Sequence, residues 1–299
     1  MAHRKRPPLT KTRQQWAASR GGASFKGKPL NYPSVIEAKY RARLERMVEQ
    51  MAAATERSIN QLYRAPGAPA GHVAMDASFT SMAARLLREL GRRFTGLFTG
   101  NAGGLADYLA KGIQVSSAKQ LGDSLKHVSG GVTLKTDVAS GAVAEVTKAA
   151  IKQNVALIKS IPAKYFEQIE SAVMRSIQTG KGLKDLQPEI QKIGKVSKDR
   201  AALIARDQTA KATTAINKAR MSGLGIRKFE WLHSAGEKHP RELHITPAPA
   251  GLNHGIFEID NPPIIDERTG ERGLPGQLIN CKCRMVPVIS FEATETTPK

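Results

Sequence analysis

Trp231-Leu-His-Ser-Ala-Gly-Glu-Lys-His-Pro-Arg-Glu-Leu-His244 and, further on, Pro275-Gly-Gln-Leu-Ile-Asn-Cys-Lys-Cys-Arg284 bound the stretch that decides how this chain is organised. Four of the seven histidines (His233, His239, His244 and His254) and both cysteines lie inside it. The hydrophobic period also changes here. Ile226 to Leu232 alternates as a half-buried strand does, and Phe257-Glu-Ile-Asp-Asn-Pro-Pro263 reads as a short strand entering a turn. Residues 284–291 read as a last strand, with Pro287 expected to confine it to a sheet edge. The expectation is a small α+β module over residues 223–291, followed by a polar tail at 292–299.

Working back from Gly223, the pattern is helical. An alanine-rich seam (Ala201, Ala205, Ala212, Ala215, Ala219) marks a helix from about Lys198 to Ser222, with Ser197 as its N-cap. The seam is narrow enough for another element to approach closely. Before it, Leu183, Leu186, Ile190 and Ile193 suggest a short helix, and Tyr165, Ile169, Val173 and Ile177 mark another that starts at Pro162. Residues 131–222 are thus a helical region leading into the module, and residues 31–130 an earlier one. In the latter, a helix from Ser34 should stop before Pro66-Gly67-Ala68-Pro69. Phe79 to Phe98 forms a second, ended by Asn101-Ala102-Gly103-Gly104, and a third runs from about Leu105 to Leu125. The fold class is α+β: a largely helical N-terminal region followed by a small C-terminal α+β module.

Charge is segregated along the chain. The net charge is +20, yet residues 221–299 carry 9 basic against 10 acidic side chains. The excess belongs to the helical part, where a basic face favours polyanions, nucleic acid first. Residues 1–30 hold Arg4, Lys5, Arg6, Lys11 and Arg13 with no acid and several Pro and Gly residues. Such a segment buries too little to offset its ordering entropy and is expected to be a disordered arm that contacts phosphates, with Trp16 as a docking or stacking residue. Two cysteines in Cys-x-Cys are not a secreted disulfide framework, and no apolar run reaches the roughly 20 residues of a membrane span. A soluble protein made in the cytoplasm is expected.

His239, His244, Cys281 and Cys283 are the residue types of a structural zinc site, although Cys-x-Cys is not the commonest ligand spacing. The alternative is that the cysteines are small buried hydrophobes and the histidines bond loop carbonyls. Arg241, His244 and His254 with Glu237 or Glu242 are acid–base candidates, but nothing in the sequence fixes their geometry and no phosphate loop or nucleophile elbow accompanies them. No catalytic residue is assigned.

Asn154-Val-Ala-Leu-Ile-Lys-Ser-Ile-Pro162, Arg200-Ala-Ala-Leu-Ile-Ala-Arg-Asp-Gln208, Asn217 and the two segments quoted first occur in an order that resembles the tailed-phage head-morphogenesis family, which includes phage Mu protein F and the minor head protein of phage SPP1. The resemblance covers about residues 150–290. It implies structural motif roles for Arg206, Asn217, Trp231, Arg241, His244, Asn280, Cys281 and Cys283. The family usually has Arg-Thr-Glu at Arg206-Asp207-Gln208, and Asp rather than Glu237 ahead of the Arg241-x-x-His244 element. The resemblance implies a minor capsid protein, not an enzyme, that assembles in the host cytoplasm and resides in the virion's capsid interior. Its implied partners are the portal protein and the major capsid or scaffolding protein, with packaged double-stranded DNA beside them. A DNA-interacting effector or nuclease carried in the capsid is the alternative.

Overall fold

The computed structural model describes residues 24–69, 77–129, 140–234 and 239–290. Four long helices dominate: α1 (Ser34–Leu62), α2 (Ala77–Val128), α3 (Ser140–Thr179) and α4 (Leu183–Gly223). The strands are β1 (Ser24–Lys26), β2 (Lys228–Leu232), β3 (Ile256–Glu258), β4 (Ile264–Asp266), β5 (Glu271–Arg272) and β6 (Arg284–Ser290). A single-turn helix, α5 (Glu242–Ile245), lies between β2 and β3. The fold is α+β, a long helical region followed by a small sheet module. No helix among the described residues is long and apolar enough to cross a membrane.

The chain packs as two compact units. A helical unit takes Ser34–Ala110 and Lys148–Thr209; a sheet unit takes the described residues of Met1–Pro33, Lys111–Thr147 and Ala210–Lys299. In the helical unit, Tyr40, Leu44, Val48, Met51 and Ile59 recur at three-to-four spacing along α1 and are all buried. Phe94 stacks on Phe166 of α3 at 6.2 Å between ring centroids, and Tyr63 meets Phe79 edge-on at 5.3 Å. Two buried polar pairs tie α1 to α3. The Tyr40 hydroxyl donates to Asn154 Oδ1 at 2.6 Å, and the Tyr63 hydroxyl donates to Ser176 Oγ at 2.9 Å.

Several punctuation marks in the sequence do not punctuate the structure. The expected break at Asn101–Gly104 is absent, and α2 runs unbroken through it. The three glycines there (Gly100, Gly103, Gly104) face open space, so they loosen the helix by about 1 kcal/mol each relative to alanine without serving a close contact. Burial of Phe98, Ala102, Leu105, Ala106 and Leu109 on one face offsets this, and Asn101 Nδ2 donates back to the Leu97 carbonyl instead of ending the turn. Likewise α3 continues through Pro162, flanked by the buried Ile158, Ile161 and Tyr165, and α4 continues through Pro188 and Ser197. Gly194 has a use within α4: a Cβ there would lie 3.3 Å from Ala52 Cβ of α1.

The sheet unit is built on a four-stranded antiparallel sheet in the order β1-β6-β2-β3, with β4 and β5 forming a separate pair. Two expectations are corrected here. Ser24–Lys26, inside the segment read as a disordered arm, is a strand, and Leu30 just after it is buried. That strand pairs with β6, so β6 is interior rather than at an edge. Pro287 fits because its carbonyl accepts from Gly27 N at 2.8 Å. Its nitrogen therefore points to the same side, where β1 has just ended at Lys26 and no ladder donor is needed. The arm residues Arg4, Lys5, Arg6, Lys11, Arg13 and Trp16 lie outside the described residues.

The core of this unit gathers Leu121 and Leu125 of α2, Met221 of α4, Phe229 and Trp231 of β2, and Met285 of β6, together with Leu30, Ile259, Ile265, Leu274 and both cysteines. The C-terminal end of α2 is pinned to α4 by the Ser117 hydroxyl, which donates to the buried Asn217 Oδ1 at 2.5 Å, and by Arg220, which donates to the Gln114 carbonyl at 3.3 Å.

Candidate functional site: a buried cysteine–histidine centre

The residues of the two segments quoted first converge in the sheet unit because three backbone devices bring them there. The first is strand register. β2 pairs with β6 so that Trp231 faces Met285 and Leu232 faces Arg284. One step further along the same antiparallel ladder sets His233 against Cys283. Trp231 and His233 share one side of the strand, as Cys283 and Met285 do, because side chains alternate with a period of two.

The second device is the turn carrying Cys281. Asn280 adopts φ 62°, a left-handed conformation that asparagine tolerates better than most residues, and Cys281 N donates to the Leu278 carbonyl at 3.0 Å. Upstream, the Pro275–Gly276 turn packs on α4 at Thr214 and Ala210, beside rather than on the alanine seam. The Thr214 hydroxyl donates to the Pro275 carbonyl at 2.5 Å, and a Cβ on Gly276 would lie 2.7 Å from Thr214 Oγ1.

The third device is the single turn α5, which presents His244 inward. Arg241 at its N-terminus donates through Nη2 to the Ile279 carbonyl at 3.3 Å, bracing α5 against the loop that leads to Cys281. His244 is fully buried, edge-on to Trp231 with 4.9 Å between ring centroids. Its Nε2 lies 3.0 Å from the Ile265 carbonyl oxygen. A carbonyl only accepts, so that nitrogen carries the proton and Nδ1 presents its lone pair to the cysteines.

At the centre, Cys281 Sγ is 3.6 Å and Cys283 Sγ 3.8 Å from His244 Nδ1. Cys283 Sγ is also 3.6 Å from His233 Nδ1. Neither cysteine is in a disulfide, and both are buried. Hydrogen bonding from Cys283, opposed by burial, holds the Cys281 thiol far below the usual thiol range. Ligand atoms of His244, Cys281 and Cys283 all lie within 4.8 Å of one another.

Of the four residues singled out as zinc ligands from sequence, the structure thus brings three together. His239 is exposed and stands outside the group, next to a segment (235–238, including Glu237) that lies outside the described residues. His233, not singled out from sequence, approaches instead. The signal for it was the β2–β6 register, which only the pairing of two distant strands supplies. Of the acid–base candidates, His254 is engaged elsewhere: its Nδ1 is 2.8 Å from Glu230 Oε1, and Glu230 Oε2 also meets Lys26 Nζ at 2.8 Å. Glu242 is exposed on α5. Among the remaining motif residues, Asn217 and Trp231 are buried in the sheet unit, and Arg206 lies on α4 within the helical unit.

A helical chain carrying a small sheet module, whose motif residues brace one another around a buried Cys–His centre, defines a class of structural module. Residues 167–286 match the family of Phage Mu protein F like proteins. A protein of Haemophilus influenzae strain Rd, described only as uncharacterized, is 30% identical over 275 residues, which are 88% of this chain and 56% of that protein. The chain therefore spans little more than half the length of that relative. No solved structure matches.

Proposed function

We propose that the protein is a minor head protein of a tailed bacteriophage, acting in prohead assembly beside the portal, with its basic segments against the packaged double-stranded DNA. The observation that carries this reading is the family match over residues 167–286, which spans α4, Trp231, His244 and the Cys281–Cys283 turn. Supporting it, Arg241, Asn217, Asn280 and Thr214 all serve to hold the module together. Arg241, Asn217 and Thr214 are each engaged with backbone or a buried partner, and Asn280 turns the chain into Cys281 at positive φ, in a way that suits a docking unit. The sheet module would dock on a protein surface, the portal first and the major capsid or scaffolding protein second. The charge excess in residues 1–220 favours a polyanion there. In this reading the protein performs no catalysis and resides in the capsid interior.

The test is co-purification. Tagged full-length chain, expressed in phage-infected cells, should retain portal protein through washes and enter proheads. A chain lacking residues 231–284 should do neither. Prohead incorporation of that deletion at the full-length level would refute the docking role. Duplex-DNA binding that weakens steeply between 50 and 200 mM salt is expected of phosphate contacts. Binding that is absent, or indifferent to salt, would remove DNA from the reading and leave the basic surface to an acidic protein.

A further inference from the structure

Around His244 and His233 the two cysteine sulfurs lie 3.6–3.8 Å from imidazole nitrogens, which is the spacing of ligands around a shared ion. We propose that the sheet unit binds one structural zinc ion, held by Cys281, Cys283 and His244 with His233 as the fourth ligand. This is independent of the docking role proposed above.

The geometry carries the inference. A tetrahedral zinc ion sits about 2.3 Å from thiolate sulfur and about 2.0–2.1 Å from imidazole nitrogen, which places sulfur and nitrogen ligands about 3.5–3.6 Å from each other. The sulfur–nitrogen separations here are 3.6, 3.8 and 3.6 Å. The donor types agree: two thiolates and neutral imidazoles select zinc over hard cations such as magnesium or calcium.

The surroundings agree as well. A ligating histidine normally donates its other ring N–H to a carbonyl or carboxylate, which fixes ring and tautomer. His244 does this toward the Ile265 carbonyl, with Trp231 against its ring and no exposure to solvent. His233 is steadied from its backbone, where its N–H donates to Asn253 Oδ1 at 3.0 Å.

The ion would join the end of β2, the single turn α5 and the entry to β6, three pieces that share only a small apolar core. His244, Cys281 and Cys283 supply three positions, and His233, whose Nδ1 stands 3.6 Å from Cys283 Sγ, would close the fourth on binding the ion. His239, exposed and apart, is no ligand. The further consequence is that α5, too short to persist alone, is held by the metal through His244.

The test uses the full-length chain, expressed with zinc in the medium and purified without chelator. Elemental analysis should find one zinc per chain. Exchange with cobalt(II) should give the intense visible bands and thiolate charge-transfer absorption of a tetrahedral sulfur-ligated ion. His239→Ala should leave both unchanged. His233→Ala should keep the stoichiometry but weaken affinity by more than the roughly tenfold to hundredfold that loss of an outer-shell partner costs, because it removes a ligand. Cys281→Ser and Cys283→Ser should abolish the charge-transfer band. If those variants do not fold, alkylation of the wild-type thiols decides instead: zinc should protect Cys281 and Cys283 together, and a chelator should expose them. Wild-type chain that carries no zinc and leaves cobalt in its weakly coloured octahedral form would overturn the proposal. Zinc retained at wild-type level in a folded Cys281→Ser variant, or lost in His239→Ala, would overturn the ligand set.

Discussion

Replacing Gly276 by alanine isolates the contact on which the sheet module sits. Gly276 has φ 88°, and an added Cβ would lie 2.7 Å from Thr214 Oγ1. The backbone cost of holding a non-glycine residue at positive φ is about 1–2 kcal/mol. The clash adds about 1–3 kcal/mol, because Thr214 can retreat only by giving up its hydrogen bond to the Pro275 carbonyl. The expected destabilisation is about 2–5 kcal/mol. Gly270 supplies the control: its φ is 69°, but a Cβ there meets nothing within 4 Å. Gly270→Ala should therefore cost only the backbone share, about 1–2 kcal/mol. The assay is urea unfolding followed by the fluorescence of Trp231, in a Trp16→Phe background so that a single tryptophan reports on the sheet unit. Circular dichroism, dominated by the helices, would follow the rest separately, since two units need not unfold together. Thr214→Ala in the Gly276→Ala background should recover part of the loss, a coupling of about 1–2 kcal/mol. Equal costs for Gly276→Ala and Gly270→Ala within about 0.5 kcal/mol, with no recovery on changing Thr214, would refute the packing of this turn on α4.

Two further outcomes follow from polar groups on the page. Tyr40→Phe should destabilise the helical unit by about 1–3 kcal/mol, because it strips a donor from the buried Asn154 carboxamide. Tyr63→Phe should cost less, since Ser176 keeps its own bond to the Lys181 carbonyl at 2.5 Å, and thermal unfolding by circular dichroism would rank the two. Glu230 adds a pH dependence: burial pushes its carboxyl up, but hydrogen bonds and charge from Lys26 and His254 together outweigh this and hold it below its ordinary value. A depressed folded-state value means stability that is present above the unfolded value, near 4.5, and is lost as pH falls through the folded one. Glu230→Gln should therefore cost about 1 kcal/mol at pH 7, a modest figure because Lys26 is half exposed, and progressively less as pH falls below 4.5. A gap between the unfolding midpoints of the two proteins that did not narrow as pH fell below 4.5 would contradict this assignment.

The helices were legible where the apolar stripe was strong, and Tyr40, Leu44, Met51, Ile59, Tyr165 and Ile169 lie where periodicity puts them, in the core. What the sequence concealed was their continuity. Gly103-Gly104, Pro162, Pro188 and Ser197 are local stop or start signals whose cost is about one to three kcal/mol each. A buried face extending on both sides of each outweighs that cost, and the size of that face depends on partners far away in sequence. The strand at Ser24–Lys26 was missed for a related reason. Three residues in a basic, glycine-rich stretch have no strand signature, and their order comes from pairing with Val288, Ile289 and Ser290 at the other end of the chain. Pro287 misled in the same direction, because whether a missing donor matters depends on where the neighbouring strand stops.

The site shows the same division more sharply. Cys281, Cys283 and His244 were readable because type and proximity in sequence single them out. Choosing between His233 and His239 was not, since both flank the same loop and both have the right chemistry. The choice is made by β-sheet register: Leu232 opposite Arg284 carries His233 toward Cys283, and a slip of one residue would turn it to the other face. Register in turn is fixed by burial of Phe229 and Trp231 on the core side, so the apolar residues of β2 select which histidine meets the thiols. A substitution that weakened this pairing, such as Trp231→Ala, would thus remove His233 from the centre and the ring wall of His244 together. Trp231, Cys281 and Cys283 belong to both the Cys–His cluster and the hydrophobic core, so loss of the proposed metal and loss of the core should be read out together.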